Sequence, residues 1–136
     1  MLKEFHKSIP HVIRNMVDLG VSIDGASPAT YEKLRQGGKW NKIIEALDCM
    51  SELKQKHNFN FYLHMVVQQD NWHEMESMLE LGHKYNADRV YFNKIEDWNT
   101  NIDFTSQTFM QLDEFKESVW RVSTDPIAWN NFATLV

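Results

Sequence analysis

Residues 17–28 read Val-Asp-Leu-Gly-Val-Ser-Ile-Asp-Gly-Ala-Ser-Pro, and this stretch decides the fold of the chain. In its first two thirds, apolar side chains alternate with small or polar ones, which predicts a β-strand that buries one face. Gly25 then permits a tight turn. Ser27 followed by Pro28 is typical of an N-cap and a first helical residue. The stretch therefore predicts a strand, a short turn and a helix in immediate succession.

Later segments alternate between helical and strand periodicity. Apolar residues three and four apart predict a long helix over residues 40–57. The period then changes to two, which predicts a strand over residues 59–68. A helix over residues 72–85 and a third strand over residues 89–95 follow. Because helices join successive strands, we expect parallel pairing through right-handed crossovers, which is the α/β class.

Several residues mark the ends of these helices. Gly37-Gly38 is expected to end the helix that starts at Pro28. Asn71 and Glu74 have the spacing of a capping box, which predicts that both side chains cap the helix over residues 72–85.

The two ends of the chain are predicted to be mainly helical. Residues 2–16 have helical spacing, and the polar residues 96–107 are predicted to form a loop. Thr108 and Gln111 are expected to cap a further helix. A last short helix is predicted over residues 125–132, because an Asp-Pro pair starts it.

Composition excludes several classes of protein. The chain has 136 residues, which suits one domain, and 43% of them are hydrophobic, which indicates a globular protein. The formal charge of -5, without any Lys/Arg run, argues against binding to nucleic acid or to acidic membranes. No apolar stretch approaches the roughly 20 residues of a membrane span. The single cysteine, Cys49, excludes an internal disulfide framework and favours a cytoplasmic protein; we interpret it as a packing residue.

The polar faces of the predicted strands favour part of a barrel over an open doubly wound sheet. Central strands of an open sheet are apolar on both faces, whereas the lumen of a barrel can be polar at its catalytic end. In this chain, small and polar side chains gather near the carboxyl ends of all three predicted strands, where such folds place their sites. They are Ser22, Asp24, His64, Gln68, Tyr91 and Asn93.

These motifs resemble one enzyme family. Ser-Ile-Asp-Gly at residues 22–25, followed by Tyr31, Arg35 and Gly37-Gly38, is similar to the second half of a radical S-adenosylmethionine domain. The resemblance continues through residues 66–71 with Glu74, and through Ile-Glu-Asp-Trp at residues 95–98. It covers roughly residues 10–100 and is greatest for the branch with cofactor-maturation and peptide-modifying members.

The resemblance implies a fold and a set of ligand contacts. The fold is a partial TIM-type (β/α)6 barrel, of which residues 10–100 would be one half and residues 101–136 a C-terminal helical extension. In related enzymes, the residues at the positions of Ser22 and Arg35 hold the methionyl carboxylate of S-adenosylmethionine. A hydroxyl and a guanidinium suit a carboxylate chemically. The remaining implied cofactor contacts are Asp24, Gln68, Asn71 and Asn93.

The chain departs from the family where the iron chemistry begins. The family holds a 4Fe-4S cluster through three cysteines spaced CxxxCxxC, and this sequence has no such motif. The resemblance therefore implies the C-terminal half of a barrel that is inactive alone, with the cluster in a missing N-terminal half. The alternative is a non-catalytic α/β binding or assembly module with a vestigial pocket.

A half barrel also makes a prediction about partners. Strands cut from a closed barrel leave unpaired edges, which are templates for pairing. We therefore expect either the missing N-terminal half or a second copy of the chain to cover those edges, and hence a homo-oligomer when the chain is alone. No pair of histidines has convincing metal-ligand spacing, so we expect no metal site.

Overall fold

The computed structural model describes residues 10–95 and 108–132. Its centre is a four-stranded parallel sheet in which the strands lie side by side in chain order. The strands are β1 (Asp18–Ser22), β2 (Asn60–Val67), β3 (Arg89–Lys94) and β4 (Ala128–Asn130). The predicted α/β class and parallel pairing are confirmed.

Helices alternate with these strands along the described residues. Counted along the chain, the second and third helices lie between β1 and β2, and the fourth helix lies between β2 and β3. A 3-10 turn precedes each of the last two, at Trp72–Glu74 and Thr108–Gln111. The helices are α1 (Pro10–Asn15), α2 (Pro28–Leu34), α3 (Trp40–Lys56), α4 (Met75–Lys84) and α5 (Asp113–Ser123).

The core lies on one face of the sheet. Alternate residues of β2 and β3 are fully buried there, and the apolar stripes of α3, α4 and α5 pack against them. Strands in chain order with right-handed crossovers place their helices on the same side, which agrees with this burial. The fully buried sheet residues are Phe61, Leu63, Met65, Val67, Val90 and Phe92.

The opposite face of the sheet is not covered by the described helices. Its residues are half-buried or exposed in every strand, and we call it the open face. It consists of Asp18, Gly20, Ser22, Asn60, Tyr62, His64, Val66, Arg89, Tyr91, Asn93 and Trp129.

Helix α2 forms for the reasons that the sequence indicates. The Ser27 hydroxyl accepts a hydrogen bond from the Thr30 backbone N–H at 3.3 Å, and Pro28 is the first helical residue. After the helix, Gly37 has φ +80°, a left-handed conformation that favours glycine. The predicted start of this helix is confirmed, and the helix ends at Leu34, shortly before the Gly37-Gly38 pair that was expected to end it.

The last predicted helix is wrong. Residues 128–130 form β4, which pairs with β3. The Asp125 carboxylate accepts the Ile127 N–H at 3.0 Å and thereby closes a turn, and the Val90 N–H donates to Ile127 O at 2.8 Å. Pairing with the unfilled edge of β3 outweighs the local helix signal, so the predicted C-terminal extension is not entirely helical and the sheet has four strands rather than three.

Other predicted boundaries differ from the observed ones or fall outside the described residues. Thr108 and Gln111 belong to a 3-10 turn, and α5 begins later, at Asp113. The predicted loop at residues 96–107, and the part of the first predicted helix before residue 10, lie outside the described residues, as does most of the 95–98 motif. Within residues 10–95 and 108–132, no helix combines the length and apolarity that crossing a membrane requires.

Candidate functional site

The candidate site lies where the loop after β1 meets the loop after β2. Carboxyl ends of neighbouring parallel strands meet at one edge of a sheet, and this topology brings the two loops together. Three polar side chains join the loops: Asp24 from the first, and Asn71 and Glu74 from the second.

Asp24 connects β1 to β2 and to α2. One carboxylate oxygen, Oδ1, accepts the Val66 backbone N–H at 2.9 Å. The other, Oδ2, lies 2.7 Å from Arg35 Nε. The Arg35 N–H is not directed at that oxygen, so the contact is an ion pair rather than a directed hydrogen bond. The Arg35 side chain as a whole is 38% exposed, although its Nε is buried beside Asp24.

Asn71 is fully buried, and among the described residues its side chain bonds to three backbone groups. Its Nδ2 donates to Asp24 O at 2.9 Å and to Val66 O at 2.8 Å, and its Oδ1 accepts the Gln68 N–H at 2.8 Å. Buried polar groups need such partners, because an unsatisfied one costs free energy. Asn71 therefore holds both loops in one geometry. Contrary to the prediction, its side chain does not cap the helix that follows it.

Glu74 also acts between the loops. Its carboxylate accepts hydrogen bonds of 2.6 Å each from the Ala26 N–H, the Ser27 hydroxyl and the Thr30 hydroxyl. Burial alone would raise the pKa of Glu74, but these hydrogen bonds outweigh it and hold the pKa below its ordinary value. The predicted capping box is wrong, because the Glu74 carboxylate bonds to donors at the start of α2 instead of to the backbone of its own helix.

The six residues predicted to bind a cofactor fall into two groups. The first is the cluster of Asp24, Arg35 and Asn71. Gln68 joins this cluster through its backbone, at the end of β2. The second group, Ser22 and Asn93, lies on the open face at β1 and β3, with β2 between them; Ser22 is two residues before Asp24 and so lies at the same strand end as the cluster.

The open face also carries an aromatic cluster that includes residues the sequence predictions did not assign to a site. The rings of His64 and Tyr91 are stacked with centroids 4.8 Å apart, and Tyr91 also contacts Tyr62 at 5.6 Å and Trp129 at 5.4 Å. Burial lowers the pKa of His64. A Cβ on Gly20 would lie 2.9 Å from His64 Nε2, so any other residue at this position would displace the His64 ring from its position over β1.

The sequence predicts the roles of Tyr62, Trp129 and Glu74 to different extents. Strand alternation already assigns Tyr62 to the face of His64, so that residue could have been found. Trp129 could not, since the local sequence predicts a helix where β4 forms. For Glu74 the sequence predicts only a capping role within its own helix, because the hydroxyls that it bonds belong to a distant segment.

Chemically, the Ser22 hydroxyl, the partly exposed Arg35 side chain and the side-chain amides of Gln68 and Asn93 suit a carboxylate or another polar ligand. In the part of the chain that the structure describes, no group of three His, Cys, Asp or Glu side chains is arranged to hold a metal ion. Neither the protein-family models nor the curated proteins include a match to this chain.

Proposed function

We propose that this chain is the C-terminal half of a radical S-adenosylmethionine barrel, contributing the carboxylate end of the cofactor pocket and inactive alone. The observation that supports it best is the Asp24–Arg35 ion pair, which anchors the partly exposed Arg35 side chain beside the strand end that bears the exposed Ser22. In this proposal Ser22 and Arg35 hold the methionyl carboxylate of the cofactor.

The other polar residues divide into contact and positioning roles. Asn93, half-buried on β3, and Gln68, half-buried at the end of β2, are proposed to lie near the ribose and adenine. Asp24 and Asn71 are mainly committed to the loops, so we assign them the positioning of Arg35 and of the β2 end. The 4Fe-4S cluster, which reduces the cofactor in this family, would belong to the missing N-terminal half. The proposal implies a cytoplasmic protein.

Calorimetric titration of S-adenosylmethionine tests this proposal. The chain is titrated alone and then mixed with any N-terminal half that is encoded upstream and carries CxxxCxxC. We expect weak or no binding alone, and binding together with iron incorporation in the mixture. Absence of any effect of the N-terminal half would refute the proposal.

Two variants test the assigned residues in that mixture. Ser22→Ala and Arg35→Lys are each expected to weaken cofactor binding by about tenfold or more, the range of a lost charge-assisted contact. Lys33→Ala is the matched control, because Lys33 lies at the end of α2, two residues before Arg35, is exposed and pairs with Asp70 at 2.8 Å. Equal affinity of Arg35→Lys and Lys33→Ala would remove Arg35 from the site.

A second candidate function is a non-catalytic α/β assembly module with a vestigial pocket. It is favoured by the internal use of the site: Asp24 neutralises Arg35, and Glu74 occupies the donors at the start of α2. This reading predicts no cofactor binding under either condition above, so the same titration separates the two functions.

A further inference from the structure

The open face carries one row of side chains that crosses the whole sheet. The sheet register aligns one residue from each strand in this row, which consists of Ser22, His64, Tyr91 and Trp129. The next row, nearer the carboxyl ends of the strands, contains Asn93 beside Val66. Because Ser22 and Asn93 belong to the proposed cofactor pocket, the rings of the first row lie beside that pocket.

The rings of the aromatic cluster are held in place by contacts within the open face. His64 and Tyr91 are stacked with centroids 4.8 Å apart, and the centroids of Tyr91 and Trp129 are 5.4 Å apart. Tyr62, one row lower, contacts Tyr91 edge to face at 5.6 Å, and its hydroxyl donates to an Asp18 carboxylate oxygen at 3.0 Å. These contacts preorganise the cluster, which lowers the entropy cost of holding a ligand.

The two rows beside the pocket are partly accessible and uncharged. In these rows, 43% of Trp129 and 36% of Val66 are exposed. Burial lowers the pKa of His64, so its imidazole is neutral at pH 7. The charged residues of the open face, Asp18 and Arg89, lie nearer the amino ends of the strands. An uncharged group therefore fits the two rows better than a charged one, which would lose hydration without a charged partner in them.

We propose that the aromatic cluster is the substrate site of the barrel and that it takes an uncharged aromatic ring. Each stacked or edge-to-face contact of such a ring strengthens binding about twofold to tenfold beyond its apolar area, which an aliphatic group cannot match. The neutral His64 imidazole can donate and accept hydrogen bonds, which suits a hydroxyl or N–H on the ring. This assignment rests on the proposed function, because the open face is the lumen of a barrel only if the chain is half of one.

A titration of the chain alone, without S-adenosylmethionine, tests the preference for a ring. The probe is N-acetyltryptophanamide, which is aromatic and uncharged, and the NMR resonances of the Trp129 indole and the His64 imidazole are followed. We expect saturable shifts with a dissociation constant of about 1 mM.

Two matched ligands define what the cluster recognises. N-acetylleucinamide replaces the ring with an aliphatic group, and N-acetyltryptophan keeps the ring but carries a carboxylate. Each is expected to bind about fivefold more weakly than N-acetyltryptophanamide. Equal affinity for either matched ligand, or an absence of shifts at Trp129 and His64, would overturn the proposal.

Variants locate the site on the open face. Trp129→Leu and Tyr91→Leu each remove a ring but keep an apolar side chain, and each is expected to weaken probe binding about threefold to tenfold, followed at His64. Tyr91→Leu guards against an effect on the short β4. Trp120→Leu is the matched control, because 62% of Trp120 is exposed but it lies on α5, away from the open face. Circular dichroism checks that each variant is folded, and equal weakening by the control and the cluster variants would overturn the proposal.

The outcomes separate the substrate site from the proposed function. Ring binding by the chain alone, with no cofactor binding in the mixture with an N-terminal half, would refute the half barrel and leave an aromatic site on an assembly module. Cofactor binding in that mixture, with no ring binding by the chain, would refute the substrate site only.

Discussion

Replacing Asn71 by alanine should reveal how much the junction of the two loops contributes to stability. The change removes three hydrogen bonds of a fully buried side chain, to Asp24 O, Val66 O and the Gln68 N–H. At about 1 kcal/mol net for each bond, and with buried groups left unsatisfied, the free energy of unfolding should fall by about 3–4 kcal/mol. For a chain of this size, that loss lowers Tm by about 10 °C.

Urea denaturation followed by circular dichroism measures this loss. Asn15→Ala is the matched control, because the Asn15 side chain bonds a backbone carbonyl, His11 O, in an exposed position. It should cost less than about 0.5 kcal/mol. A loss below about 1 kcal/mol for Asn71→Ala would mean that water replaces the amide without penalty, and the junction would then not be the rigid element inferred here.

Three further predictions concern other contacts. The pKa of Glu74 is depressed in the folded chain, so the stability that Glu74 contributes is present above its ordinary pKa of 4.5 and is lost as the pH falls through the folded value. The urea midpoint should therefore decrease as the pH is lowered from about 4.5, and Glu74→Gln should make this decrease smaller. Gly82→Ala puts a Cβ 2.5 Å from Val90 Cγ2. This overpacking should lower the free energy of unfolding by about 1–3 kcal/mol in the same urea denaturation assay. An unchanged midpoint would show that α4 can move away from β3 freely. Gly20→Ala should displace the His64 ring, seen as changed imidazole chemical shifts in NMR spectra; unchanged shifts would contradict the packing described.

The strands that sequence could predict are those with a long alternating pattern. In β2, Phe61, Leu63 and Met65 alternate with more polar residues, and the observed burial follows that period. Strand β4 has three residues and is defined by its pairing with β3, which no local pattern encodes.

The candidate site was predictable in position but not in connectivity. Parallel topology alone places Asp24 and Asn71 at the same edge of the sheet. The capping box failed because Asn71 and Glu74 have better partners in another loop than in their own helix, and such partners depend on the folded chain.

The Glu74 contacts have a consequence for the order in which the molecule folds. They join donors to an acceptor that is 44 to 48 residues later in the chain. The start of α2 therefore cannot gain these bonds until β2 and the turn after it are in place. Contacts of this sequence separation form late and slow folding. The loop after β1, although early in the sequence, should thus be among the last segments to gain protection from hydrogen exchange.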